Sequence, residues 1–175
     1  GIDTKRYHPN PNKEITEYNK DISILFGAIS ATSDPRKGYD LLTAALNQLD
    51  NPEKYTCVVF GDNNPDLGDL DLDIQSYGYL SEESLIGLYA GSDVMAVPSR
   101  YESFGQTAIE ALACGTPVVA FDTTGPQDII KSKKTGYLAE PYDTTDFCAG
   151  IEWVTGNTKR REKLGRTARE DAVTR

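Results

Sequence analysis

A chain of 175 residues with a net charge of -9 and 38% apolar residues is large enough for one domain with its own core and too apolar for a disordered chain. The acidic balance argues against broad nucleic-acid binding, which needs a basic surface to neutralise phosphates. The three cysteines, Cys57, Cys114 and Cys148, lie far apart among apolar residues with no CxxC spacing, so they read as buried thiols in a reducing compartment rather than as a metal or redox site.

Residues 1–20 carry two prolines, Pro9 and Pro11, and little apolar periodicity, and read as a linker. The chain does not begin with methionine, which leads to the expectation of a domain cut from a longer protein. The single histidine, His8, falls in this segment and reads as a surface residue, which leaves little material for a Ser-His-Asp triad. No signal peptide or transmembrane run is visible.

From Ile22 the pattern changes. ISILFGAI, residues 22–29, reads as a buried strand, followed by the polar loop SATSDPRKG and a helix over Tyr39 to Leu49 with Leu42, Ala45, Leu46 and Leu49 on one face. YTCVVF is the next strand, stopped at Gly61-Asp62. An acidic, turn-rich stretch leads to a third strand over Ile74 to Leu80, and Ser81 caps a helix running to Gly91 with Glu82 and Glu83 in its first turn. A fourth strand covers Asp93 to Pro98, and a fifth Pro117 to Phe121. A short helical turn follows at Asp128 to Lys131, then an extended piece at Gly136 to Ala139, and helices at Thr144 to Thr155 and Thr158 to Ala172. Strands that are continuous apolar runs, alternating with helices, predict a Rossmann-like doubly wound α/β domain with a parallel sheet covered on both faces. In such a domain ligands sit at the carboxyl ends of the strands.

The segment VPSRYESFGQTAIEALACGTPVVA, residues 97–120, carries the most chemistry. Ser103 followed by Gln106 matches a capping box, which would start a helix near Phe104, and Gly115-Thr-Pro would end it. Phe104, Ala108, Ala111 and Leu112 would face the sheet. The helix start offers free N–H groups and a positive dipole end to an anion, and Gly105 allows close approach. Glu102 stands before it and Glu110 about 10–12 Å further along the axis. An anion flanked by two carboxylates suits a nucleotide sugar, with phosphate between two hydroxylated rings; the alternative is that Glu110 pairs with a lysine or arginine and Glu102 is a surface charge. Arg36-Lys37-Gly38 is either a phosphate-binding loop at a strand end or an exposed turn. Asp69-Leu-Asp71-Leu-Asp73 has metal-binding spacing but lies on the approach to the third strand, so no metal is expected there. Lys131, Lys133, Lys134 and the basic run after Lys159 read as a solvated face, with anionic lipid as the alternative.

ESFGQTAIEALACGTPVVA resembles the EX7E motif of the retaining glycosyltransferases of the large GT-B family 4. GIDTKRYHP, RKGYDLLTAAL, SYGYLSEESLIGLYAGSDVMAVPS and GPQDIIKSKKTGYLAEPYD resemble the segments that flank that motif in order. The resemblance implies that residues 1–20 are an interdomain linker and 21–175 the C-terminal nucleotide-sugar-binding domain of a protein whose N-terminal domain holds the acceptor. It implies transfer of a sugar, with retention of configuration, from a UDP- or GDP-linked donor to a glycan or lipid-linked acceptor hydroxyl, as in polysaccharide biosynthesis. No cofactor, metal or nucleic acid would be needed, and the isolated domain would be inactive as a hexosyltransferase. The place would be the cytoplasm, with the inner membrane face as an alternative. Catalytic roles fall on Glu102, at the donor sugar, and Lys37, at the diphosphate with Arg36 beside it. Phe104, Gly105 and Thr107 would hold pyrophosphate or sugar, Glu110 the ribose hydroxyls, and Tyr79 and Leu80 the base. The family's arginine after the first strand's glycine is replaced by Ala28, so the site has one fewer cation, or Arg36 or Arg100 substitutes. A non-catalytic nucleotide-binding or interaction module, and a GT-B sugar-nucleotide epimerase or phosphorylase, are the alternatives.

Overall fold

The computed structural model describes residues 1–10 and 22–175. Six parallel strands form one sheet in the order β3-β2-β1-β4-β5-β6. They are β1 (Ile22–Gly27), β2 (Tyr55–Phe60), β3 (Asp73–Ser76), β4 (Val94–Val97), β5 (Val118–Phe121) and β6 (Gly136–Ala139). The helices are α1 (Tyr39–Leu46), α2 (Glu82–Gly91), α3 (Gln106–Ala113), α4 (Pro126–Ile129), α5 (Thr144–Thr155) and α6 (Thr158–Thr174). β1 and β2 pair residue for residue, Ile22 with Tyr55 through Gly27 with Phe60. Both are apolar because both faces of a central parallel strand are covered.

The covering layers follow from side-chain alternation. On one face Ile24, Phe26, Val59 and Phe121 pack with Leu42 of α1 and Phe147 and Ile151 of α5. On the other, Leu25, Val58, Met95 and Val97 pack with Tyr89 of α2, Ala108 and Leu112 of α3, and Ala168 of α6. All three cysteines are buried free thiols, and burial pushes the Cys57 thiol up to about 12. No helix crosses between β2 and β3. In the connecting segment Leu67, Leu70 and Leu72 turn onto the first core while Asp69, Asp71 and Asp73 stay exposed.

Several boundaries differ from the sequence expectation. β1 stops at Gly27 and Ile29 is exposed, because the loop has already turned away from the sheet. α1 ends at Leu46 with Asn47 as its cap, although Leu49 still reaches the core. β3 ends at Ser76: left-handed Gly78 turns the chain, and the Asn63 side chain accepts from the Tyr79 N–H at 2.9 Å. The short helix α4 forms one residue pair earlier than expected, with Pro126 at its start. Of the linker expected over residues 1–20, the first ten residues are irregular but docked. Tyr7 is buried against the second core, and the Arg169 guanidinium donates to the carbonyls of Thr4 and Tyr7. The remainder of that segment and the expected domain start at residue 21 lie outside the described residues.

The strand order reverses between β1 and β4, so the loops after these two strands diverge and leave a crevice at their carboxyl ends. They are tied together at its rim. The Arg100 N–H donates to the Arg36 carbonyl at 2.8 Å, and its guanidinium reaches the Pro35 carbonyl. Gly38, at φ 73°, lets the first loop close on Pro98: a β-carbon there would fall 1.9 Å from the Pro98 carbonyl oxygen. Gly38→Ala therefore forces a disfavoured φ and a backbone clash, and is expected to cost about 1–3 kcal/mol of stability, read from the urea midpoint.

Candidate functional site at the sheet switch point

The site is organised by the start of α3. The sequence placed that start near Phe104 with Ser103 as a capping residue. In the structure Gly105 holds the N-cap position in a left-handed conformation, φ 57° and ψ 39°, and no side chain caps the helix. The tight turn at Gly105 takes Ser103 out of line with the helix axis. A β-carbon at Gly105 would lie 2.5 Å from the Ile129 side chain, so the turn is packed as well as twisted. Phe104 does not face the sheet but is 83% exposed. The far end behaves as expected: Gly115 N–H donates to the Leu112 carbonyl and Thr116 N–H to that of Ala111, the two bonds of a Schellman stop.

With no side-chain cap, the amides at the helix mouth look for another acceptor, and Glu102 provides one. Its Oε1 accepts from the Gly105 N–H at 3.2 Å, and its Oε2 lies 3.6 Å from Lys37 Nζ. Both side chains are largely withdrawn from solvent, with 26% exposure for Lys37 and 14% for Glu102. Ala28, Lys37, Pro98, Glu102 and Thr107 line one narrow cleft between β1 and β4. Loop β1–α1 thus brings a cation, and loop β4–α3 a carboxylate and a helix N-terminus, to a single point.

Arg36 and Arg100 are not in that cleft. Arg36 grips Asp34 through Nε and Nη2 at 3.0 and 2.7 Å, and these hydrogen bonds hold the Asp34 carboxyl down at about 2. Arg100 makes a two-pronged bond to Asp40, which lowers that carboxyl as well. Tyr79 is 57% exposed on the loop after β3, and Leu80 packs onto the α2–α3 side of the sheet. Neither belongs to the strand, contrary to the sequence expectation.

Glu110 is 7% exposed. Among the described residues it pairs with no lysine or arginine. Its Oε2 accepts from the Tyr89 hydroxyl at 2.8 Å and its Oε1 from Gln106 Nε2 at 2.7 Å. The sequence reading missed both partners. Gln106 was assigned to a backbone cap, and Tyr89 looks like one more core residue in LIGLYAG. Burial first, and then the Glu110 charge, push the Tyr89 phenol well above its ordinary value, so it stays a donor. Burial and the charges of Glu110 and Glu82 likewise push Tyr7 up to about 12. Among the described residues, no group of three or more His, Cys, Asp or Glu could hold a metal ion.

These features define a doubly wound α/β domain whose switch point brings together a lysine, a glutamate and the start of α3, with a second, buried glutamate further along that helix. The family model for glycosyl transferases group 1 matches residues 13–171, and the chain belongs to that family. It is 29% identical to D-inositol 3-phosphate glycosyltransferase of Corynebacterium jeikeium, over 99% of this chain and 46% of that protein. Among solved structures it resembles sucrose-phosphate synthase from Thermosynechococcus elongatus, with a TM-score of 0.84 and 27% identity over 99% of this chain and 46% of that one. HepE of Anabaena, solved with UDP and glucose and with UDP-glucose, shares the fold at a TM-score of 0.82 and 23% identity, over 100% of this chain and 51% of that one. The chain spans about half the length of each of these three proteins. No helix among the described residues is long and apolar enough to cross a membrane.

Because Tyr89 is fully buried, removing its acceptor strands a hydroxyl in the core. Glu110→Ala is expected to lower the unfolding free energy by about 1–3 kcal/mol, measured by urea denaturation, and Glu110→Gln by less, since the amide oxygen still accepts.

Proposed function

We propose that the chain is the C-terminal, donor-binding half of a retaining hexosyltransferase that moves a sugar from a nucleoside diphosphate sugar to an acceptor hydroxyl. The observation that carries the reading is the meeting of Lys37, Glu102 and the uncapped start of α3 at the switch point. UDP is the first nucleotide to test, because HepE was solved with it; GDP and ADP are the comparisons.

A diphosphate entering the cleft competes with Glu102 for the Gly105 N–H and for Lys37. Phosphate is the stronger anion, so Glu102 is released toward the donor sugar, where a carboxylate accepts from hydroxyls. Gly105, the neighbouring Phe104 backbone and Thr107 border the diphosphate. Glu110, one turn along α3, accepts from the ribose hydroxyls. Tyr79 and Leu80 flank the base from the loop after β3. Ala28 contributes no charge, so Arg36 or Arg100 joins the phosphate by leaving Asp34 or Asp40. Exposed ion pairs of that kind contribute little stability, so the exchange is easy.

In the transfer step the bond between the anomeric carbon and the diphosphate oxygen breaks while the acceptor hydroxyl approaches from the same face, forms the new carbon–oxygen bond and passes its proton to the departing diphosphate oxygen. Negative charge grows on the departing oxygen, and Lys37 with the α3 amides stabilises it. No protein nucleophile is needed on this route. A preceding domain would hold the glycan or lipid-linked acceptor, with residues 1–20 as the connection. The whole enzyme would act in the cytoplasm, on polysaccharide precursors, and the basic residues of α6 offer a contact with the inner membrane face. Ala28 favours one second reading, a nucleotide-binding or interaction module without transfer.

Calorimetric titration of the chain with UDP-, GDP- and ADP-sugars tests the proposal. One nucleotide class should bind, Lys37→Ala should weaken it about 10- to 100-fold, and transfer by the chain alone should be negligible. Binding of none of them would favour an interaction role, and transfer at an ordinary enzymatic rate would refute the two-domain account.

A further inference from the structure

Glu110 is a buried carboxylate held by two uncharged donors, and that choice of partners has consequences for what it can recognise. An ionised carboxylate offers two oxygens and about four lone-pair positions. Tyr89 takes one position on Oε2 and Gln106 takes one on Oε1. One position on each oxygen is left over, a spacing that suits the two hydroxyls of a vicinal diol. A lysine or arginine partner would have neutralised the charge and occupied the same oxygens. Neutral donors orient the carboxylate and leave it a full acceptor.

The Tyr89 ring is itself fixed. It is fully buried, stands edge-on to Phe60 with ring centroids 5.9 Å apart, and its backbone carbonyl accepts from the Thr116 hydroxyl beyond the end of α3. The phenol is therefore aimed by the packing of α2 against α3 and the sheet. Gln106 comes from the opposite direction, one turn back on α3 and exposed to solvent.

We propose that Tyr89 and Gln106 are positioning residues for nucleotide recognition, which lock the Glu110 carboxylate in the orientation that accepts a ribose diol and so set a preference for ribonucleotides over deoxyribonucleotides. The inference rests on the ribose role given to Glu110 above. A hydrogen bond that only staples α2 to α3 would contribute to stability without regard to the ligand's hydroxyls; a positioning bond acts through them.

The test compares UDP with 2′,3′-dideoxy-UDP by calorimetry, in the unaltered chain and in Tyr89→Phe and Gln106→Met. The unaltered chain should prefer UDP by about tenfold or more, the scale of hydrogen bonds to a charged acceptor. In Tyr89→Phe the preference should shrink to about threefold or less, through weaker UDP binding with the dideoxy compound little changed. Gln106→Met, at an exposed position that leaves the core untouched, should shift the ratio in the same direction even if Tyr89→Phe folds poorly. Equal weakening of both nucleotides, or an unchanged ratio in both variants, overturns the positioning role while leaving Glu110 on the ribose. No preference in the unaltered chain, or no binding of UDP, GDP or ADP, removes the ribose reading and this inference with it; where GDP or ADP binds and UDP does not, that nucleotide and its 2′,3′-dideoxy form take the place of the UDP pair in the same comparison.

Discussion

The first amides of a helix have no partner within it, and at α3 the sequence supplies no side chain to cap them. Much of the molecule's carboxyl edge is arranged around that deficit. Left-handed Gly105 opens the helix mouth, Glu102 turns back to accept from it, and Lys37 arrives from the other loop to balance the carboxylate. The reversal of strand order between β1 and β4 is what allows the two loops to meet there. On the proposed function, a diphosphate takes the place that Glu102 holds there.

The two glutamates of the motif differ more than their spacing suggests. Glu102 sits in a loop, pairs with a cation and accepts from a backbone amide. Glu110 is fixed in a helix, buried, and held by neutral donors. On the proposed function, one follows a ligand as it arrives and the other offers a rigid acceptor. Their division of labour rests on environment and not on residue type, since both are glutamates on one short segment.

Much of the fold was legible because parallel strands buried on both faces leave an unbroken apolar signal. YTCVVF was bounded correctly for that reason; the edge strand GYLA and the helix stop at Gly115 were also bounded correctly. The misreadings have a common cause. A serine three residues before a glutamine satisfies the capping-box pattern, but the pattern is silent on the backbone angle of the glycine between them. Likewise β3 looked longer than it is because Tyr77 and Tyr79 favour strands, while Gly78 and the side chain of Asn63 turn the chain away. The site's titratable groups were found from the helix mouth and from the family's motif. Tyr89 was not, because a tyrosine in an apolar helix carries no mark of the acceptor it will find across the fold.

On the proposed function a diphosphate displaces Glu102 from the Gly105 amide at the start of α3. Backbone amide NMR of the chain titrated with UDP tests it most directly. The account predicts that the largest shifts cluster at Gly105, Gln106 and Thr107 and at Lys37 and Gly38. Binding accompanied by shifts confined to other loops, with those amides unmoved, would contradict it.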